Sequence, residues 1–219
     1  MNRFVSSVLA LMVWVGTATS PLRAQSTEAA KQKLEKASAQ LKAAKTVKIA
    51  FTYSLENKRT TPPIQQQEKG TLETMGDRYR LKLMGTEQIC DGQFVWMVLH
   101  ADEEVQKKPV KDGQGNEAMT PLRLLELHRK GFSYKLGGSE VVHGKTIEYV
   151  VLKPNASEDI QSIQVGIDAK TGLVYSYTQT GTNGTVTRFV VDSIQLNAAL
   201  PASRFVFSPK EFPGYYIPR

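Results

Sequence analysis

The chain has 219 residues, 41% of them hydrophobic and 22% charged, which is enough for one domain with a sizeable core and is an ordinary globular composition. Its formal charge of +7 would suit an anionic lipid surface or nucleic acid, but the 28 Lys and Arg are dispersed among 21 Asp and Glu, which favours a mildly basic solvated surface. A single cysteine, Cys90, excludes an intrachain disulfide framework and suits a small hydrophobe packed in a strand.

Residues 1–24 have the form of an export leader: Arg3, an apolar run from Phe4 to Ala18, then Leu22-Arg23-Ala24 before Gln25 as the cleavage site. The run is too short, and too interrupted by Ser and Thr, for a convincing membrane span. No cysteine lies near the cut, so a lipid-modified N-terminus is not expected. Cleavage removes Arg3 and Arg23 and no acid, lowering the charge from +7 to +5. Residues 25–219 are expected to form a single exported, soluble domain, with no internal repeat and no dividing linker.

After the leader, Ser26 and Thr27 are candidate caps of a helix, with Glu28 in its first turn and Lys45 in its last. Ala30, Leu34, Ala37, Leu41 and Ala44 fall on one stripe, narrow and half alanine, so the helix is expected to dock weakly. From Val47 the period becomes two: Val47, Ile49, Phe51, Tyr53 and Leu55 alternate with more polar residues. Pro62-Pro63 interrupts, and a strand over 66–74 carries Gly70 as a possible bulge. In "DRYRLKLMGTEQICDGQFVWM", Tyr79, Leu81 and Leu83 oppose Arg78, Arg80 and Lys82, and Asp91-Gly92 signals a hairpin. The next strand sets Phe94, Trp96 and Val98 against Val95, Met97 and Leu99, with no obviously wet face. A charged strand near 103–110 leads to the polar, glycine-rich loop 111–117. Thr120-Pro121 then opens a short helix bearing Leu122, Leu124, Leu125 and Leu127. The rest reads as a meander of strands ending in Phe205/Phe207, with turns at 168–172 and 182–184. Asn155 and Asn183, which head glycosylation-like triplets, read more simply as turns. The pattern predicts a mainly β (α+β) domain: an unclosed antiparallel β-barrel or strongly curved sheet, with the N-terminal helix and a short lid helix over its concave face.

Searches for catalytic chemistry return little. His100, His128 and His143 show no ligand spacing, Asp102-Glu103-Glu104 reads as a solvated turn, Gly113-Gln-Gly115 lacks the rest of a phosphate loop, Gly137-Gly138 reads as a hairpin turn, and no nucleophile elbow occurs. Neither an enzyme, a metal nor a cofactor is expected. Arg78-Tyr79-Arg80 could stack on bases, but strand alternation explains it better, and no nucleic acid is expected as a partner.

The order "GTLETMGDRYRLKL", "ICDGQFVWMVL", "EEVQKKPV", "TPLRLLELHRKGFSYKL", "RFVFSPKEFPG" resembles the outer-membrane lipoprotein carrier proteins, the LolA family, from about Thr46 to Gly214. No single motif is diagnostic; order and spacing carry the resemblance. It implies a periplasmic carrier with an unclosed barrel, lidded by helices over an apolar cavity that shelters the acyl chains of lipoproteins between inner and outer membrane. Position by position it implies that Tyr79, Leu81 and Leu83 face the cavity, that Trp96 is the aromatic after the Asp-Gly turn, that Leu122 and Leu125 line the lid, and that Phe205 and Phe207 form a late strand. Phe51, Tyr53, Phe94 and Val98 join the expected lining, and Leu124 the lid. The implied partners are acylated lipoproteins, an inner-membrane releasing transporter and an outer-membrane acceptor, met by a monomer. Family members carry Lys-Arg-Pro before the strand equivalent to 79–83, its Arg fastening the closed lid; here Met75-Gly76 stands there, so the latch is absent or supplied by another residue.

Periodicity alone does not separate a cavity lining from the core of a closed sandwich. Three other functions remain open: a periplasmic sensor of lipids or lipoproteins on the same fold, a hydrolase using residues such as Asp91, His100, Asp102 and His143, and a sugar-binding module exposing Tyr175 and Tyr177 as a platform.

Overall fold

The computed structural model describes residues 21–110, 131–156 and 159–218, with side chains from 27 onward. The glycine-rich loop and the helix of Leu122, Leu124 and Leu125 lie outside the described residues. Helix α1 spans Pro21–Ala43, so Ser26 and Thr27 sit within it and do not cap it; Leu22, Arg23, Ala24 and Gln25 are all good helix formers, and nothing among them stops the helix from extending. Ala30, Leu34, Ala37 and Leu41 are buried along one stripe, as the spacing requires.

Eleven strands follow: β1 Thr46–Asn57, β2 Ile64–Met75, β3 Arg78–Leu83, β4 Thr86–Cys90, β5 Phe94–Leu99, β6 Glu104–Pro109, β7 Phe132–Val142, β8 Lys145–Pro154, β9 Ile160–Asp168, β10 Val174–Gly181 and β11 Val186–Leu196. They form one antiparallel sheet in the order β6-β5-β4-β3-β2-β1-β11-β10-β9-β8-β7. Two meanders, β1–β6 and β7–β11, are thus joined where β1 pairs with β11. The end strands β6 and β7 do not pair with each other, so the sheet is not closed. At the β4–β5 hairpin, Asp91 Oδ1 accepts the N–H groups of Gln93 and Phe94, both at 2.8 Å, and Gly92 takes φ 95°.

Two local expectations change. Gly70 is not a bulge: β1 and β2 pair without a shift from Thr46↔Met75 to Asn57↔Ile64. The irregularity lies between Ala50 and Phe51, against β11. Gly70 is instead a place of close approach, because a Cβ there would lie 2.6 Å from Cε2 of Phe51. The late strand at Phe205/Phe207 is also absent. The segment forms two single-turn 3-10 helices, Ala202–Phe205 and Pro209–Glu211, since Pro201, Pro209 and Pro213 remove backbone donors that a ladder would need.

The sheet has two covered faces. On the inner face, α1 packs its stripe onto an apolar cluster that includes Val47, Ile49, Phe51, Leu72, Tyr79, Leu81, Cys90, Val150, Leu152, Ile163, Val165, Tyr177 and Phe189. Lys33 Nζ, 2.5 Å from Glu148 Oε2, pins the helix to β8. On the outer face, the tail after β11 crosses the β2–β6 half, and its Phe212 closes a second cluster with Ile89, Val98 and Val105, against which Trp96, Phe207, Tyr215 and Ile217 pack. The tail ends as a short parallel bridge on edge strand β6: Val105 N–H donates to Tyr216 O, and Tyr216 N–H to Glu103 O, both at 2.8 Å. Covering an edge in this way removes a template for aggregation.

On the outer face of the other half, Tyr149 lies across Gly166, where a Cβ would come within 3.0 Å of its ring, and donates a hydrogen bond to Glu140. Burial, with Glu140 second, pushes the Tyr149 phenol up to about 12, and burial also raises Tyr177. An unfolded tyrosine ionises first, near 10, so between about pH 10 and 12 the folded chain holds more protons and loses stability as pH rises; below 10 the contribution is intact. Urea midpoints measured from about pH 9 to 12 are expected to fall, and to fall less steeply in Tyr149→Phe. An unchanged slope in that variant would remove Tyr149 from the account.

Candidate functional site

The inner face is where the sequence places a lining, and it gathers about half of it. Phe51, Tyr79 and Leu81 are buried in the helix-covered cluster, and Tyr53 and Leu83 pack at its margin. Phe51 and Tyr53 both lean on Phe189, with ring centroids 5.6 and 5.1 Å apart.

Phe94, Trp96 and Val98 do not share that face. Tyr79 stands opposite Cys90, and Cys90 opposite Val95, whereas Arg80 stands opposite Ile89, and Ile89 opposite Trp96. Because side chains alternate along each strand, Val95 joins the inner face, while Trp96 and its neighbours at i±2 join the outer one. Trp96 stacks on Phe207 at 4.3 Å and Phe207 on Phe212 at 5.5 Å, with Lys107 Nζ over both Phe94 and Trp96. The five residues Phe94, Trp96, Val98, Phe205 and Phe207 therefore do not line one cavity with Tyr79: the first three and Phe207 hold the tail to the outer face, and Phe205 is buried in the first 3-10 turn. Trp96 emission reports on tail docking rather than on the inner face. The missed inner residues include Val95, Tyr177 and Phe189; the hairpin length after Cys90 was the signal that would have placed Val95 correctly.

Arg80 gives a second correction. Strand alternation sets it facing solvent, yet its side chain is 5% exposed. It donates to the carboxylate of Glu87, itself 2% exposed, through Nε, to Glu211 Oε2 at 2.7 Å through Nη2, and to Arg204 O at 3.3 Å through Nη1. Burial alone would lower the Arg80 pKa, but the bonds from Glu211 and Glu87 outweigh it and hold the guanidinium charged. Around this pair, Arg204 Nε donates to Glu73 Oε2 at 2.5 Å, Lys48 lies 3.5 Å from Glu73, and Lys82 lies 3.1 Å from Glu87. His100 Nδ1 lies 3.0 Å from the Tyr215 hydroxyl. A guanidinium fastening thus exists, but it ties the C-terminal tail to the outer face.

Three of the four residues weighed for hydrolysis are engaged elsewhere, and Asp102 is exposed. Asp91 is spent on its turn, His100 on Tyr215, and His143 Nδ1 lies 3.3 Å from the Tyr175 hydroxyl. Tyr175 and Tyr177 are 8% and 3% exposed, which removes the sugar platform. Burial pushes the Cys90 thiol up, in keeping with a packed hydrophobe. Among the described residues no group of three His, Cys, Asp or Glu could hold a metal, and no helix is long and apolar enough to cross a membrane.

The family model of the outer membrane lipoprotein carrier protein LolA matches residues 42–208, which run from the end of α1 into the tail. The chain belongs to the LolA family. No curated protein matches it. Among solved structures, this LolA-family chain is similar to an uncharacterized conserved protein from Thermus thermophilus, with 10% identity, 87% of this chain and 99% of that one covered, and TM-score 0.54. It is also similar to the lipoprotein LppX of Mycobacterium tuberculosis, with 10% identity, 80% and 98% covered, and TM-score 0.53. At such identity these likenesses speak for the fold: one unclosed antiparallel sheet with an apolar face under a helix. In the LolA-family chain that face is continuous from Leu81 on β3 to Leu152 on β8, and among its described side chains α1 packs two leucines and two alanines into it.

Proposed function

We propose that this LolA-family chain is a periplasmic carrier that shields the acyl chains of lipoproteins on the inner face of its sheet while they pass from inner to outer membrane. The reading takes residues 1–24 as a cleaved export leader, the donor as an inner-membrane lipoprotein-releasing transporter, the acceptor as an outer-membrane protein, and the carrier as a monomer without catalytic chemistry.

The observation that carries it is the thin cover on a broad apolar face. Leu34 and Leu41, fully withdrawn from water, contribute about 3–6 kcal/mol together. An acyl chain gains about 0.8 kcal/mol per methylene, so about four to eight methylenes replace what α1 gives up when it lifts. A cover this thin yields to a short stretch of one acyl chain, which suits loading; a thick helix face of leucines would exclude the cargo.

The test is mass spectrometry of material extracted from the protein purified from its native envelope, beside Leu83→Glu at the half-buried margin of the face. Co-purifying triacylated polypeptides, depleted several-fold by Leu83→Glu, are the expected result. Their absence, with a stoichiometric protein partner in their place, would turn the assignment toward a sensor.

A further inference from the structure

Behind the proposed acyl face, between β3 and the tail, lies a groove of about 430 Å³ bordered by Arg80, Arg204, Ser203, Ser208 and Glu211, with Pro201 and Val206 as its apolar flank. We propose that this groove binds a phosphodiester, the headgroup of a phospholipid, and so gives the protein a membrane-surface contact separate from its acyl-binding face.

Arg204 is held by one edge only. Its Nε donates to Glu73, and its two terminal nitrogens make no hydrogen bond among the described residues, leaving a pre-oriented fork of the kind that takes two oxygens of a phosphate. Ser203 and Ser208 stand beside it with hydroxyls that likewise make no bond among the described residues; Ser208 precedes a 3-10 turn without capping it through its side chain. Four cations of the network, Lys48, Arg80, Lys82 and Arg204, face three carboxylates, Glu73, Glu87 and Glu211. The site therefore carries one positive charge in excess, which suits a monoanion. Glu211 on the rim disfavours a second negative charge, and so selects a diester over a free phosphate dianion. The groove has more room than one oxyanion fills, and Val206, 50% exposed, offers the adjoining glycerol an apolar wall.

The experiment follows amide shifts by two-dimensional NMR of the purified protein titrated with glycerophosphoglycerol, with inorganic phosphate in a parallel arm, and sedimentation with vesicles of phosphatidylglycerol or phosphatidylcholine. Saturable shifts confined to residues 201–211, with affinity near millimolar and weakened about tenfold by Arg204→Lys and by Ser203→Ala/Ser208→Ala, support the proposal. Arg204→Lys keeps the charge on Glu73 but loses the fork, and unchanged Trp96 emission verifies that the tail stays docked. Vesicle binding that drops in the same variants extends the site to membranes. Tighter binding of inorganic phosphate than of the diester overturns the headgroup assignment, and no saturable shift, or shifts indifferent to both variants, overturns the site. Because Leu83→Glu leaves this groove intact, failure here and failure of the acyl-carrier reading are separately visible.

Discussion

Arg80→Ala is expected to destabilise the fold by about 3–5 kcal/mol, the cost of stripping the partner from a buried charge. The substitution leaves Glu87, 2% exposed, with only Lys82 at 3.1 Å and His100 Nε2 at 3.8 Å, both on side chains more than 40% exposed. It also removes the bond to Glu211 that ties the tail down. Folded proteins have about 5–15 kcal/mol to lose, so the urea midpoint should fall far, and tryptophan emission should shift as Trp96 is uncovered. The pair is not valuable for its own Coulomb energy. Removing both charges in Arg80→Met/Glu87→Leu is expected to restore most of the midpoint, because a packed apolar pair costs no desolvation. A loss under about 1 kcal/mol in Arg80→Ala would mean that water already reaches the pair.

Phe51→Ala is expected to cost about 3–5 kcal/mol. The ring is fully buried at the junction of the two meanders, packed on Phe189 and laid over Gly70. From the other side, Gly70→Ala sets a methyl 2.6 Å from Phe51 Cε2. The ring is fully buried against Phe189, so overpacking should cost about 1–3 kcal/mol. Together the two changes should cost less than their sum, because the new methyl occupies part of the space the ring vacates. Chemical denaturation of the three variants measures this coupling, and strict additivity would contradict the contact. Since Leu83 and Tyr79 remain, Phe51→Ala is expected to retain co-purifying acyl material despite its lower stability, which separates a structural from a cargo role.

Much of the fold was legible in the chain. The period-two run from Val47 to Leu55, the Asp91-Gly92 turn and the stripe Ala30, Leu34, Ala37, Leu41 are local signals, and each appears in the structure. The unclosed antiparallel sheet followed from the number of short strands and turns. What failed did so where local signals are silent. In β5 both faces are apolar, so composition could not say which one meets the helix; the pairing Cys90↔Val95 decided it and turned Trp96 away. In the tail, the spacing of Phe205 and Phe207 suggests a strand, although Pro201 and Pro209 flank the segment and leave room for no more than a short one.

The sequence by itself determined the class of α1 and of the main strands, the hairpin turns and the apolar stripe of α1, because these depend on neighbours within a few residues along the chain. Tertiary structure alone decided which face of β5 is inside, and that Arg80 is buried and bound to a glutamate 131 residues away. Alternation gives a strand two faces without naming the one that will be covered; that choice is made by whichever distant segment arrives to exclude water.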